Sequence, residues 1–188
     1  FNEMFSAASL SCELFVKEYN KKFGTSYEPM KYDPIAFERL IRKIGVDRTR
    51  VMNSIGTLGG GNHFIEMGVD GGGQYWITVH TGSRKFGENV CRYHQERAKS
   101  LLEHKRKVEL AEGIREIAKK YSDEPSRIEP AIAELKESLG LNFGTDVHGM
   151  EFLTGQDAME YFFDMIIAQK YAELSRRVIR RIIMANVF

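Results

Sequence analysis

Asp70-Gly71-Gly72-Gly73 constrains the fold of this chain more than any other stretch. It separates two runs that read as strands, His63 to Val69 and Gln74 to His80, and has the composition of a tight hairpin turn. A symmetric turn centred between Gly71 and Gly72 gives cross-strand partners a constant index sum of 143, pairing His63 with His80 and Met67 with Trp76. Directly opposed residues have Cβ atoms ~5 Å apart. Two imidazoles at that spacing reach one metal ion bonded at ~2.1 Å to each. The plain alternative is a pair of surface or satisfied core histidines, and a one-residue bulge would send them to opposite faces. Two imidazoles are also fewer ligands than a catalytic metal site uses.

The loops beside the two histidines sharpen the metal reading. Gly59, Gly60 and Gly61 remove side chains just before Asn62 and His63, so backbone can approach a phosphate closely. No Gly-Lys-Ser/Thr follows, which excludes a P-loop, and the glycines open a strand rather than a helix, which excludes the dinucleotide fingerprint. After His80, Thr81-Gly82-Ser83-Arg84 offers hydroxyls, amides and a guanidinium whose planar donor fork suits phosphate. Either loop alone reads as a simple chain reversal. Both lie at the same end of one hairpin, each next to a histidine.

Around the hairpin the pattern is helical. Met4 to Phe23 reads as a helix closed by Gly24. Asp33-Pro34 reads as an N-cap with Pro at the first helical position, opening a helix through Phe37, Leu40, Ile41 and Ile44 that stops at Gly45. Phe86 to Tyr121 is helical with a break expected near Gly113, Ser122 to Pro125 interrupts, and a shorter helix runs to about Leu139. Asn142 to Leu153 reads as loop or strand. Thr154-Gly-Gln-Asp157 has the form of a capping box. The long helix after it is expected to place Met159, Phe162, Phe163, Ile166, Ile167, Leu174, Val178 and Ile182 in the core. Arg176, Arg177, Arg180 and Arg181 near its end suit the helix dipole as a solvated face, the alternative being a patch for nucleic-acid phosphates. The run Glu103-His-Lys-Arg-Lys107 reads as wet surface. The fold class expected is α+β: a central β-hairpin carrying the candidate metal-nucleotide site, flanked by long helices, in a single domain spanning 1–188.

A chain of 188 residues with 43% hydrophobic and 28% charged residues is ordinary for a globular protein with a sizeable core. Its net charge of +1 gives no global attraction to nucleic acid, so RNA binding requires a local patch. Two unpatterned cysteines and the lack of any membrane-spanning apolar run or signal peptide lead us to expect a cytoplasmic location with no membrane partner.

Gly56-Thr-Leu-Gly-Gly-Gly-Asn-His-Phe-Ile-Glu66 and His80-Thr-Gly-Ser-Arg84 resemble two motifs of the RtcB family of RNA ligases. The helix Ala168-Gln-Lys-Tyr-Ala-Glu-Leu-Ser-Arg-Arg177 resembles that family's Tyr-Ala…Asn-Arg segment, with Ser175 in place of the usual Asn. The resemblance implies an enzyme that joins RNA 2′,3′-cyclic phosphate or 3′-phosphate ends to 5′-hydroxyl ends, using GTP and Mn2+, on tRNA halves or broken RNA. His63 and His80 match histidines that bind manganese. Asn62, His63, Phe64, Ile65 and Glu66 match the nucleotide-facing stretch, where the carboxylate can accept from guanine N–H groups. Ser83 and Arg84 match positions placed for phosphate or RNA. Imidazole donors would also accept zinc, so the choice of manganese rests on the resemblance.

The family's upstream Asp and Cys metal ligands, its downstream His-Asn pair and its guanylylated histidine have no match here. Cys12 and Cys91 lack the Asp-x-x-Cys-Gly setting, and His94, His104 and His148 lack the right neighbours. No residue of this chain is therefore assigned as nucleophile. The expectation is an internal fragment of a longer ligase, inactive alone. The rival readings are a metal-dependent phosphoesterase using the same His pair and a non-catalytic nucleotide- or RNA-binding module.

Overall fold

The computed structural model describes residues 1–139 and 151–187. Most of the expected Asn142 to Leu153 segment, His148 included, lies outside them. The chain divides into two units: residues 1–93 with 154–188, and residues 94–153.

The first unit begins with helix α1, Asn2–Phe23, which ends where Gly24 takes φ 65° and donates its N–H to the Asn20 carbonyl. The Asn20 side chain then accepts from Tyr27 N–H and donates to the Tyr27 carbonyl, turning the chain back. Along the return, Met30 N–H donates to Cys12 Sγ and Tyr32 N–H to Ser9 Oγ, so extended backbone is laid against α1. Helix α2, Pro34–Lys43, starts as expected, with Asp33 Oδ1 accepting from Ala36 N–H at 2.6 Å. A short helix that the periodicity did not predict, α3 (Arg48–Ser54), is capped in the same way by Asp47, which accepts from Arg50 N–H.

Strands β1, Phe64–Val69, and β2, Tyr75–His80, form the antiparallel hairpin. Their register corrects the expected one by a residue. Phe64, not His63, faces His80, while Met67 faces Ile77 and Trp76 faces Gly68. The cause is in the turn: Asp70 pairs with Gln74, rather than with Gly73, through Asp70 N–H and the Gln74 carbonyl, leaving three loop residues, and Gly73 takes φ 79°. A three-residue loop closed by a left-handed glycine is centred on one residue rather than between two. Asp70 Oδ1 accepts from Gly72 and Gln74 N–H, and Trp76 Nε1 donates to Asp70 Oδ2. Trp76 is therefore tied to the turn.

Helix α4 runs from Arg84 to Lys120. It is continuous through Gly113, where a break was expected. A Cβ there would come within 2.5 Å of Leu135 Cδ2, so glycine makes room for helix α5, Ile128–Ser138, in the second unit. Helix α6, Gly155–Asn186, starts after Thr154, but the Thr154 hydroxyl makes no capping hydrogen bond, so the expected capping box is incomplete. Met159, Phe163, Ile166 and Ile167 of α6 are buried as expected. Ile182, expected in the core, is instead 50% exposed, with its Cδ1 beside Gly56.

α1 packs along α6, with Phe15 and Phe162 ring centres 5.0 Å apart. A relay of rings, Phe5–Phe37–Phe86–Tyr171, spaced 5.7, 5.3 and 5.1 Å, joins α1, α2, α4 and α6 in one core. Tyr32 donates its hydroxyl to the Phe163 carbonyl at 2.7 Å, satisfying a buried phenol. Lys43 and Asp164 form an ion pair at 2.5 Å, with Asp164 buried. The mostly helical chain with one small antiparallel sheet is the α+β class expected, and no helix among the described residues is long and apolar enough to cross a membrane.

Candidate functional site

The two glycine-containing loops meet at the open end of the hairpin, and three polar anchors fix them there. Arg84 Nη1 donates to the Thr57 carbonyl at 2.9 Å, tying the loop after β2 directly to the loop before β1. Ser175 Oγ on α6 accepts from Gly56 N–H at 3.2 Å. The adjacent Arg176 donates Nη1 to the Thr81 carbonyl at 2.9 Å. Arg84 holds φ 56°, a conformation costly for a side chain with a Cβ, so its placement is overdetermined by its surroundings.

Between the loops lies a recess of about 480 Å³, lined by Arg50, Ser54, Gly59, Gly60, His63, Gly82, Ser83, Arg84, Lys85 and Glu88. Three cationic side chains border it against one carboxylate. Glu88 is ion-paired to Lys85, whose hydrogen bond holds the Glu88 carboxyl below the usual carboxylate range. Arg84 has donors to spare after the Thr57 bond, since a guanidinium carries five. The recess has the composition that suits an anion: glycine backbone, a hydroxyl and cationic side chains.

His63 sits with its ring against Gly59, where an added Cβ would lie 2.1 Å from His63 Cδ2. Its Nδ1 is buried and has no hydrogen-bond partner. A buried ring nitrogen left without a partner is costly, and a cation or proton donor at that point would relieve it. The His63 and His80 ring centres are 6.5 Å apart. Rings sharing one tetrahedral ion at ~2.1 Å per bond have centres about 5 Å apart, so these two have to approach by about 1.5 Å. They are donors of the right chemistry for a divalent ion, but among the described residues no cluster of three or more potential ligands occurs.

The register splits the expected nucleotide-facing stretch. Phe64 and Glu66 share one face with His80, and the Phe64 ring stacks on His80 with centres 5.0 Å apart and planes 8° apart. Ile65 lies on the opposite face with Val79. Asn62 is exposed at the loop tip, and Ser83 Oγ lies directly over Gly87, where a Cβ would approach to 1.9 Å.

Arg50 and Lys85 were not singled out by the sequence. Arg50 arrives on α3, whose only advance signal was the capping residue Asp47. Arg176, expected to be solvated, is instead bonded to the Thr81 carbonyl, whereas Arg177 pairs with Glu173 at 2.6 Å on the helix surface.

Residues 42–188 match the family described as "tRNA-splicing ligase RtcB". This chain belongs to the RtcB family. The "RNA-splicing ligase RtcB" of Escherichia coli K12 is 51% identical over 39 residues, which is 21% of this chain and 10% of that protein. The "tRNA-splicing ligase RtcB" of Methanopyrus kandleri is 46% identical over 55 residues, 21% of this chain and 6% of that protein. The chain thus aligns to about a tenth or less of the length of these curated relatives. No solved structure gives a significant match.

Proposed function

We propose that this chain forms the nucleotide- and metal-facing part of a GTP- and Mn2+-dependent RNA ligase. The reaction is the joining of RNA 3′-phosphate or 2′,3′-cyclic phosphate ends to 5′-hydroxyl ends, on tRNA halves or broken RNA. The chain is an internal part of a longer ligase in this reading, and the histidine that becomes guanylylated lies outside it. The observation that carries the reading is the meeting of both family motifs around one cationic recess, with Arg84 bonded across them to Thr57.

His63 and His80 would contribute two of the donors to a divalent ion, which when bound supplies Lewis acidity toward phosphoryl oxygens. Arg50, Arg84 and Lys85 fix the phosphate and offset its charge without reorganising. Phe64 and Glu66, sharing a face with His80, offer a ring and a carboxylate to the guanine base. Ser83 and the Gly59–Gly60 backbone complete the phosphate cradle, and Asn62 stands at its rim.

The test uses protein expressed from the whole open reading frame, incubated with a 3′-phosphate RNA, a 5′-hydroxyl RNA, GTP and Mn2+. Joined RNA is expected, and His63→Ala should abolish it. Hydrolysis without joining would instead select a phosphoesterase. Nucleotide binding with neither product would select a non-catalytic binding module.

A further inference from the structure

Ser175 and Arg176 are neighbours on one turn of α6, yet they bond to different loops. Ser175 is fully buried and accepts from the N–H of Gly56, the residue that opens the first motif. Arg176 reaches the carbonyl of Thr81, the residue after His80. The same helix takes hold at two further points. Tyr171, one turn earlier and fully buried, donates its hydroxyl to the Val51 carbonyl of α3 at 2.5 Å. Val178 presses on Gly56 so closely that a Cβ there would come within 2.6 Å of it.

Residues 171, 175 and 178 recur at helical spacing and form one stripe. Through this stripe and the adjacent Arg176, α3 with Arg50, the Gly56 loop leading to His63 and the Thr81 loop leaving His80 are all referred to one helix. Arg84 to Thr57 is then the only direct tie between the loops among the described hydrogen bonds.

We propose that Ser175 and Arg176 are positioning residues: together they set the separation of His63 and His80 and hold the two loops at the width of the anion recess. Neither side chain is asked to touch a ligand. This inference rests on the functional reading above only for the consequence at the metal, and not for the loop geometry. A purely structural role for Ser175 and Arg176 would lower global stability without selectively loosening the loops.

The experiment uses the protein expressed from the whole open reading frame and compares wild type with Ser175→Ala, Arg176→Met and Arg176→Lys, by amide hydrogen exchange and by Mn2+ titration with free Mn2+ read by electron paramagnetic resonance. Ser175→Ala and Arg176→Met should each raise exchange about tenfold in the segments 56–63 and 81–84, with α1 and the first half of α6 unchanged. Mn2+ affinity should fall on the order of tenfold in both, as for supporting partners of metal ligands. Arg176→Lys, which keeps a donor for the Thr81 carbonyl, should restore most of both readouts. Uniform exchange increases across the unit, or unchanged loops, would overturn the proposal, as would loosened loops with unchanged Mn2+ affinity. If wild type binds no Mn2+, the ligase reading loses its metal, and the exchange pattern alone still decides whether the two residues hold the loops.

Discussion

Gly59 and Gly56 illustrate how single positions divide their work between fold and site. Gly59 leaves room for the His63 ring, whose Cδ2 would lie 2.1 Å from a Cβ there, but its backbone is not in the left-handed region. Gly59→Ala should therefore leave the melting temperature nearly unchanged while weakening Mn2+ binding about tenfold or more, because the ring must swing aside. Gly56 combines φ 74° with Val178 at 2.6 Å from a Cβ position. Gly56→Ala should cost roughly 1–3 kcal/mol in denaturant unfolding, from backbone strain and crowding together. The glycines were visible in the sequence as loop punctuation. That one serves a histidine and the other a helix was not, because Val178 lies 122 positions away along the chain.

At the scale of elements, the hairpin carries a built-in reporter of its own turn. Trp76 is the only tryptophan, and its indole N–H bonds to Asp70. That bond, followed by the Gln74 N–H, holds the Asp70 carboxyl below its usual range. A carboxyl with a depressed folded value contributes to stability above its unfolded value and loses that contribution as pH falls through the folded one. Trp76 fluorescence should thus stay constant from neutrality down to about pH 4, the ordinary Asp range, and change below it. In Asp70→Asn the transition should vanish. Both strands were legible as runs flanking the glycine turn, and α1 and α2 from Gly24 and Asp33-Pro34 at their ends. The register was not, because Asp70 can close either an even or an odd loop and only its hydrogen bonds to Gly72 and Gln74 choose the odd one. The same limit explains α3: seven residues with one buried side chain, Val51, leave little periodicity to read.

Across the molecule, the hairpin is the least covered part of the first unit. Ile65, Met67, Val69, Tyr75, Ile77 and Val79 share one face, and Met67 and Tyr75 are 64% and 75% exposed. Part of this face lines a groove of about 480 Å³ with Ile183, Met184 and the arginines of α6. Among the described residues the sheet has two strands, so its outer edges carry unpaired backbone groups. Open edges beside an apolar face favour association with other chains. The chain alone is expected to self-associate with rising concentration in sedimentation velocity, and Met67→Lys to reduce that association without changing the helical circular dichroism signal. The α+β class and the site-bearing hairpin were readable from pattern. The tethering of that hairpin to α6 depended on contacts more than 90 positions apart and could only come from the fold.

A double-variant cycle on Mn2+ affinity, with GTP present, tests most directly whether His63 and His80 serve one divalent ion beside the nucleotide. Ligands of the same ion are strongly coupled, so His63→Ala and His80→Ala should each weaken binding almost as much as the double variant does. Equal affinity in His63→Ala, or losses that simply add, would contradict the account.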